Sequence, residues 1–122
     1  MTDNQRATLT AAIDRIVPRD DFPSASEAGV LVFLERLITL EGLEGQYAAG
    51  LDAIESATHE ATGRSFVELT DAEQDTVLAS SEESAFFRML AEQTIEGYYA
   101  DPGNGGNRDG VAWEMIGFRV TA

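Results

Sequence analysis

The chain has 122 residues, 43% of which are hydrophobic, and it contains no cysteine. This length predicts one domain, residues 1–122, and the lack of cysteine excludes disulfides, thiolate nucleophiles and thiolate metal sites. The 22 acidic residues outnumber the 8 basic ones, and the net charge of −14 repels phosphate groups, so we expect no binding of nucleic acid or anionic membranes.

Two helices are predicted in the first third of the chain. Thr2 and Gln5 have the spacing of a capping box, in which each side chain accepts a hydrogen bond from the other residue's backbone N–H. Pro18 ends this first helix, and a second capping box, Ser24 with Glu27, predicts where the second helix starts. Apolar residues at helical spacing predict the buried faces: Leu9, Ala12, Ile13, Ile16 and Val17 in the first helix, and Val30, Phe33, Leu34, Leu37 and Ile38 in the second.

Glycines predict the ends of the second and third helices. Gly42 and Gly63 each follow a helical pattern, and glycine readily adopts the left-handed conformation that ends a helix. The third helix is predicted from about Leu43 to Thr62. Gly50 inside it indicates either a close contact with another helix or a tolerated gap, and the sequence leaves both open. Its inward residues are predicted to be Tyr47, Leu51 and Ile54.

Two further capping boxes predict a fourth and a fifth helix. Thr70 with Glu73 starts the fourth, and Ser80 with Glu83 starts the fifth. Their inward residues are predicted to be Val77 and Leu78 in the fourth helix, and Phe87, Leu90, Ala91, Thr94 and Tyr98 in the fifth. No segment alternates with period two, so the predicted fold is all-α: a small bundle of about five helices with a Gly/Asn-rich C-terminal loop and a short terminal helix capped by Asp109.

The chain has one histidine, His59, and its surroundings do not form a zinc motif. The H-E-x-x-H pattern needs a second histidine four residues further on, where Gly63 stands. Glu55 precedes His59 by about one helical turn, so we expect an ion pair between them on the helix surface.

Carboxylate pairs one helical turn apart also occur in the sequence: Asp71 with Asp75 and Glu92 with Glu96. General acid–base catalysis would need one member of a pair to be buried with a shifted pKa. In a chain with 22 acidic residues such pairs arise by chance. We therefore expect these carboxylates to form solvated surface.

Residues 97–118 form the most distinctive segment, with several glycines and asparagines and the only tryptophan. A dinucleotide-binding fingerprint would need glycine where Arg108 stands, and a Walker loop would need Lys directly after Gly110. An EF-hand loop starting at Gly105 would lack its first and last ligands. The segment therefore completes none of these motifs, and what remains is a turn-rich loop stabilised by Asn and Asp side chains.

Two interpretations of this segment stay open at the level of residue types. Trp and Arg dominate interface hot spots, so Trp113 and Arg108 are best suited to anchor a partner. Alternatively, Trp113 folds back into the core and Arg108 neutralises nearby acids. Tyr98 and Tyr99 present the same choice, and we expect one of them to point inward.

These residues carry a resemblance to a known family. The chain resembles the gluconate 2-dehydrogenase subunit 3 family over about Leu9 to Phe118. The matching pieces are Ile16-Val17-Pro18, Pro23 to Ala25, Glu27-Ala28-Gly29-Val30, Phe33-Leu34, Gly97-Tyr98-Tyr99, Asp101-Pro102, Gly105-Gly106-Asn107, and Trp113 to Phe118. The chain departs from the family's pattern at Asn104, where an aromatic residue is common, and at Arg119, where a proline often stands.

The resemblance implies a non-catalytic subunit that supports the folding, stability or export of a large flavoprotein. That partner would be the FAD-dependent large subunit of a sugar or polyol dehydrogenase of the glucose–methanol–choline type, often accompanied by a cytochrome subunit. FAD is expected in the partner, and no cofactor, metal or catalytic residue is expected in this chain. The residues expected to bind the partner are Tyr98, Tyr99, Asp101, Pro102, Gly105, Gly106, Asn107, Arg108 and Trp113.

Three other functions stay open at the level of residue types. A stand-alone module would bind a carbohydrate or another small ligand, a self-associating helical protein would form homodimers, and an enzyme would use a carboxylate pair in a cleft.

No run of about 18 apolar residues is present, so we expect no direct membrane insertion. The N-terminal residues show no basic region followed by an apolar stretch, which predicts the cytoplasm, whereas removal of a twin-arginine leader would imply a periplasmic location.

Overall fold

The structure is a computed structural model, and it describes residues 1–100. These residues form five α-helices and one short 3-10 helix, and no strand occurs among them, which confirms the predicted all-α fold. The predicted Gly/Asn-rich loop and the terminal helix at Asp109 lie outside the described residues. The α-helices are α1 Asp3–Ile16, α2 Val30–Glu41, α3 Glu44–Thr62, α4 Asp71–Ala79 and α5 Ala85–Tyr98, and the 3-10 helix spans Phe66–Glu68.

The predicted capping boxes form at the starts of α1 and α4. The Thr2 hydroxyl accepts a bond from the Gln5 N–H at 3.0 Å, and the Gln5 side chain accepts one from the Thr2 N–H at 2.9 Å. Thr70 and Glu73 make the same reciprocal pair at 2.9 and 3.2 Å. A third box, Ser65 with Glu68, starts the 3-10 helix; its spacing is present in the sequence, between the predicted third and fourth helices.

The predicted start of the second helix is wrong by several residues. The reciprocal bonds between Ser24 and Glu27 form at 2.9 and 3.3 Å, but they cap a single turn. Gly29 ends that turn with a φ of 89°, in the left-handed region that glycine adopts most readily. A continuous helix cannot pass through this conformation, so α2 begins at Val30.

The predicted start of the fifth helix is wrong as well. Ser84 caps α5, because its hydroxyl accepts a hydrogen bond from the Phe87 N–H at 3.0 Å. The Ser80 hydroxyl instead donates to the carbonyl oxygen of Val77 at 2.6 Å, at the end of α4. Gly42 and Gly63, by contrast, end α2 and α3 as predicted, with φ values of 68° and 73°.

All five α-helices and the 3-10 helix contribute side chains to the core of the described residues. α5 contacts α1, α2 and α3, and α4 contacts α1 and α3. Several predicted inward residues, including Phe33, Phe87 and Ala91, are only partly buried because they lie at the edges of these contacts. The largest fully buried side chains are Tyr47, Tyr98, Phe66, Leu9, Ile13, Leu34, Leu51 and Leu90.

Gly50 marks a close contact between α3 and α5. The ring of Phe86 occupies the space that a Cβ at position 50 would need, and the same ring lies edge-on to Tyr47 with centroids 5.3 Å apart. Of the two interpretations of Gly50, the close contact between helices is therefore correct, because no empty space remains beside this residue. Glycine is needed there for the approach of an aromatic ring.

Gly50→Ala is therefore expected to lower the free energy of unfolding by about 1–3 kcal/mol, because the added methyl overlaps the Phe86 ring. Gly45→Ala is the matched control on the same helix, since nothing lies within 4 Å of a Cβ at that position. It should be neutral or stabilise by up to ~1 kcal/mol through helix propensity. Urea unfolding followed by circular dichroism checks both values, and an equal response of the two variants would contradict the close contact.

Candidate functional site

Of the residues predicted to bind a partner, Tyr98 and Tyr99 fall within the described part of the chain. Tyr98 is the last residue of α5, and Tyr99 caps that helix. The described part of the candidate site is therefore the C-terminal end of α5. The other predicted residues lie outside the described residues: Asp101, Pro102, Gly105, Gly106, Asn107, Arg108 and Trp113.

Tyr98 points into the molecule. It is 1% exposed, and its hydroxyl donates a hydrogen bond of 2.7 Å to the carbonyl oxygen of Pro23. Burial raises the pKa of the Tyr98 hydroxyl to about 12, so this group stays protonated near neutral pH and acts as a donor. The expectation that one of the two tyrosines points inward is confirmed.

Tyr99 is the more accessible of the two tyrosines. It is partly buried, and its ring lies edge-on to the ring of Tyr98, with centroids 5.5 Å apart and an interplanar angle of 77°. This is a favourable arrangement for two aromatic rings. The Tyr99 N–H donates to the carbonyl oxygen of Ile95 at 3.1 Å, so its backbone continues the last turn of α5. Tyr99 is thus more exposed than Tyr98, although its hydroxyl oxygen is buried.

The last turn of α5 also packs closely against α2. Gly97 is buried, and a Cβ added to it would lie 2.6 Å from Cδ2 of Phe33. No real Cβ tolerates such a distance, so glycine is required for the ring of Phe33 to lie against the helix backbone. Phe33 remains partly exposed at this contact.

The loop between α1 and α2, which receives the hydroxyl of Tyr98, is itself held by hydrogen bonds. The Ala25 N–H donates to the carbonyl oxygen of Val17 at 3.0 Å. The Ser26 N–H and hydroxyl donate to the two carboxylate oxygens of Asp14 at 2.7 and 2.6 Å. These bonds tie the loop to α1 and do not involve Tyr98.

Sequence reasoning missed the roles of Pro23, Phe33 and Gly97 at the end of α5. A signal was available, because all three belong to the pieces that carry the family resemblance. The structure brings these pieces together: Val17 with Ala25, Pro23 with Tyr98, and Phe33 with Gly97. Residues that are far apart in the chain thus form one connected arrangement around the point where residue 101 follows.

The paired carboxylates lie on the surface, as expected. Asp71, Asp75, Glu92 and Glu96 are all exposed. Arg15 binds the first two, with its Nε 2.8 Å from Asp75 and its Nη1 3.3 Å from Asp71. The hydrogen bond from Arg15 lowers the pKa of Asp75, which is the opposite of what a general acid needs. These aspartates therefore connect α4 to α1.

His59 and Glu55 make the predicted contact, with Nε2 of His59 3.2 Å from the Glu55 carboxylate. They line a polar groove between α1 and α3, where the Gln5 amide also donates to Asp52 at 3.0 Å. The lining side chains include no Phe, Tyr or Trp ring, whereas small-molecule sites are usually lined by apolar and aromatic groups.

Neither a metal centre nor a membrane span is found in residues 1–100. No group of three or more His, Asp or Glu side chains in this range is arranged to hold a metal ion. None of the five helices is long and apolar enough to cross a membrane.

The described residues thus form a small all-α fold. Its last described helix, α5, ends in two tyrosines, and the first of them is held by its bond to Pro23. Residues 3–119 match the sequence model of the family described as Gluconate 2-dehydrogenase subunit 3, and the chain belongs to this family. The family is named for a subunit of a dehydrogenase complex. No curated protein and no solved structure matched the chain.

Proposed function

We propose that this chain is a non-catalytic small subunit that supports the folding, stability or assembly of the large subunit of an FAD-dependent sugar or polyol dehydrogenase. The observation that carries the proposal is the family match over residues 3–119, nearly the full length of the chain. FAD and the oxidation of the sugar belong to the large subunit in this proposal. A cytochrome subunit would accept the electrons in complexes that contain one.

The docking element in this proposal is residues 98–118, which begin at the anchored end of α5. Tyr99 is partly exposed at its start, where the ring of Phe33 also reaches the surface. Loops that leave a rigid scaffold are common places for binding residues. The segment therefore starts from a fixed position in the bundle and carries Arg108 and Trp113, residue types that commonly anchor interfaces.

Co-expression with a flavoprotein of the glucose–methanol–choline type from the same genome tests the proposal. With an affinity tag on the flavoprotein only, we expect the two chains to co-purify in a fixed ratio and to elute together from a sizing column. We also expect more soluble flavoprotein with bound FAD when this chain is present. The proposal fails if the two chains never associate, or if the isolated chain oxidises a sugar on its own.

A further inference from the structure

The end of α5 is held from two directions by residues distant in the chain. The Tyr98 hydroxyl bonds the carbonyl oxygen of Pro23, and the Phe33 ring lies against the backbone of Gly97. The first contact ties α5 to the loop before α2, and the second ties it to α2 itself. Together they restrict both the rotation and the tilt of the last helical turn.

The loop that receives Tyr98 has a fixed position of its own. The hydrogen bonds of Ser26 to Asp14 and of Ala25 to Val17 join it to α1. Arg19 and Glu27 form an ion pair of 2.8 Å across the same loop, and the Ser24 N–H lowers the pKa of Glu27 by bonding its carboxylate. Since the acceptor cannot move freely, the bond from Tyr98 places the end of α5 relative to α1.

We infer that Tyr98 is a positioning residue: with Pro23, Gly97 and Phe33 it fixes the last turn of α5, and Tyr99 in that turn is the tyrosine that contacts the partner. This inference rests on the proposed function, because it assigns different roles to two residues of the proposed docking element. Tyr98 is too deeply buried to touch a partner without leaving its bond to Pro23. Tyr99 follows it in the same turn and is partly exposed, with its hydroxyl oxygen buried.

The inference has an energetic consequence for assembly. If the end of α5 is fixed before binding, the partner does not have to order it, and the affinity is higher than for a chain with a loose end. Removing the Tyr98 hydroxyl should therefore weaken binding without removing any contact between the two proteins. The decrease in affinity cannot exceed the net contribution of one hydrogen bond to the free energy, which corresponds to about tenfold in the dissociation constant.

Tyr98→Phe tests this, with Tyr47→Phe as the matched control. Tyr47 is also fully buried, and its hydroxyl donates to the side-chain carbonyl of Gln93 at 2.5 Å, five residues before Tyr98 on α5. Both variants keep the aromatic ring and lose one buried hydroxyl bond. We expect similar losses of stability, but only Tyr98→Phe should weaken the complex with the flavoprotein, by up to about tenfold.

Amide hydrogen exchange on the isolated chain gives a second readout that needs no partner. In Tyr98→Phe the amides of Tyr99 and Ala100, which bond Ile95 and Gly97 in the last turn, should exchange several-fold faster than in Tyr47→Phe. Equal exchange at these amides, or equal weakening of the complex by both variants, would overturn the positioning role. If the unmodified chain binds no flavoprotein, the proposed function fails, and the partner-contact role of Tyr99 fails with it. The exchange result would still decide the anchoring by Tyr98.

Discussion

Leu34→Ala is expected to lower the free energy of unfolding by about 2–5 kcal/mol, the range for removing a large apolar side chain from a packed core. Leu34 lies on α2 and is 0% exposed, so its loss leaves a cavity that the surrounding helices can fill only in part. Urea unfolding monitored by circular dichroism measures the effect. A decrease in the midpoint at constant slope would show that stability has changed and the size of the unfolding transition has not.

Leu40→Ala is the matched control, because it makes the same chemical change six residues further along α2. Leu40 is 77% exposed, so its removal should change the free energy of unfolding by less than about 0.5 kcal/mol. The pair separates burial from helix propensity, since both substitutions place Ala in the same helix. Comparable losses in the two variants would contradict the packing of α2 described above.

Trp113→Ala is expected to weaken the complex with the flavoprotein by about 2 kcal/mol or more, roughly 30-fold in the dissociation constant. The expectation follows from the proposed docking element, whose only tryptophan is Trp113. Titration calorimetry on the purified subunits measures the affinity, and circular dichroism confirms that the variant is folded. The stability of the isolated chain should change little.

Val67→Ala is the control for this measurement. Val67 is an apolar residue that is 48% exposed, on the 3-10 helix that contacts α1 and α3. It should leave the affinity unchanged. If Trp113→Ala binds as tightly as the control while lowering the unfolding midpoint of the isolated chain, Trp113 is part of the core. This was the alternative to a role in binding the partner.

Helix ends were predictable where they depend on residues close together in the chain. The reciprocal bonds of Thr2 with Gln5 and of Thr70 with Glu73 join residues three apart, so their spacing identifies them directly. The same local rule failed at Ser24, because Gly29 interrupts the turn that the box starts. It also failed at Ser80, where the hydroxyl bonds the preceding helix. A capping pattern shows that a turn can start, and does not show how far it continues.

The inward direction of one tyrosine at the end of the fifth helix was predictable, but the contacts that hold this end were not. The sequence pointed to the end of the fifth helix through its paired tyrosines and the glycines that follow. Helical spacing put Tyr98 on the inward face of the fifth helix, but it could not show that the Tyr98 hydroxyl bonds the carbonyl oxygen of Pro23. It also left open whether Gly50 meets another helix.

The amino-acid sequence by itself therefore determined the all-α class, the family, the acidic surface and most helix ends, since these depend on composition and on bonds between near neighbours. The tertiary structure alone decided that Tyr98 is the anchor, that its acceptor is Pro23, and that Gly97 admits the ring of Phe33. Tyr98 and Pro23 are 75 residues apart. Such a contact exists only after α1, α2 and α5 have packed together, and no local pattern of residues records that packing.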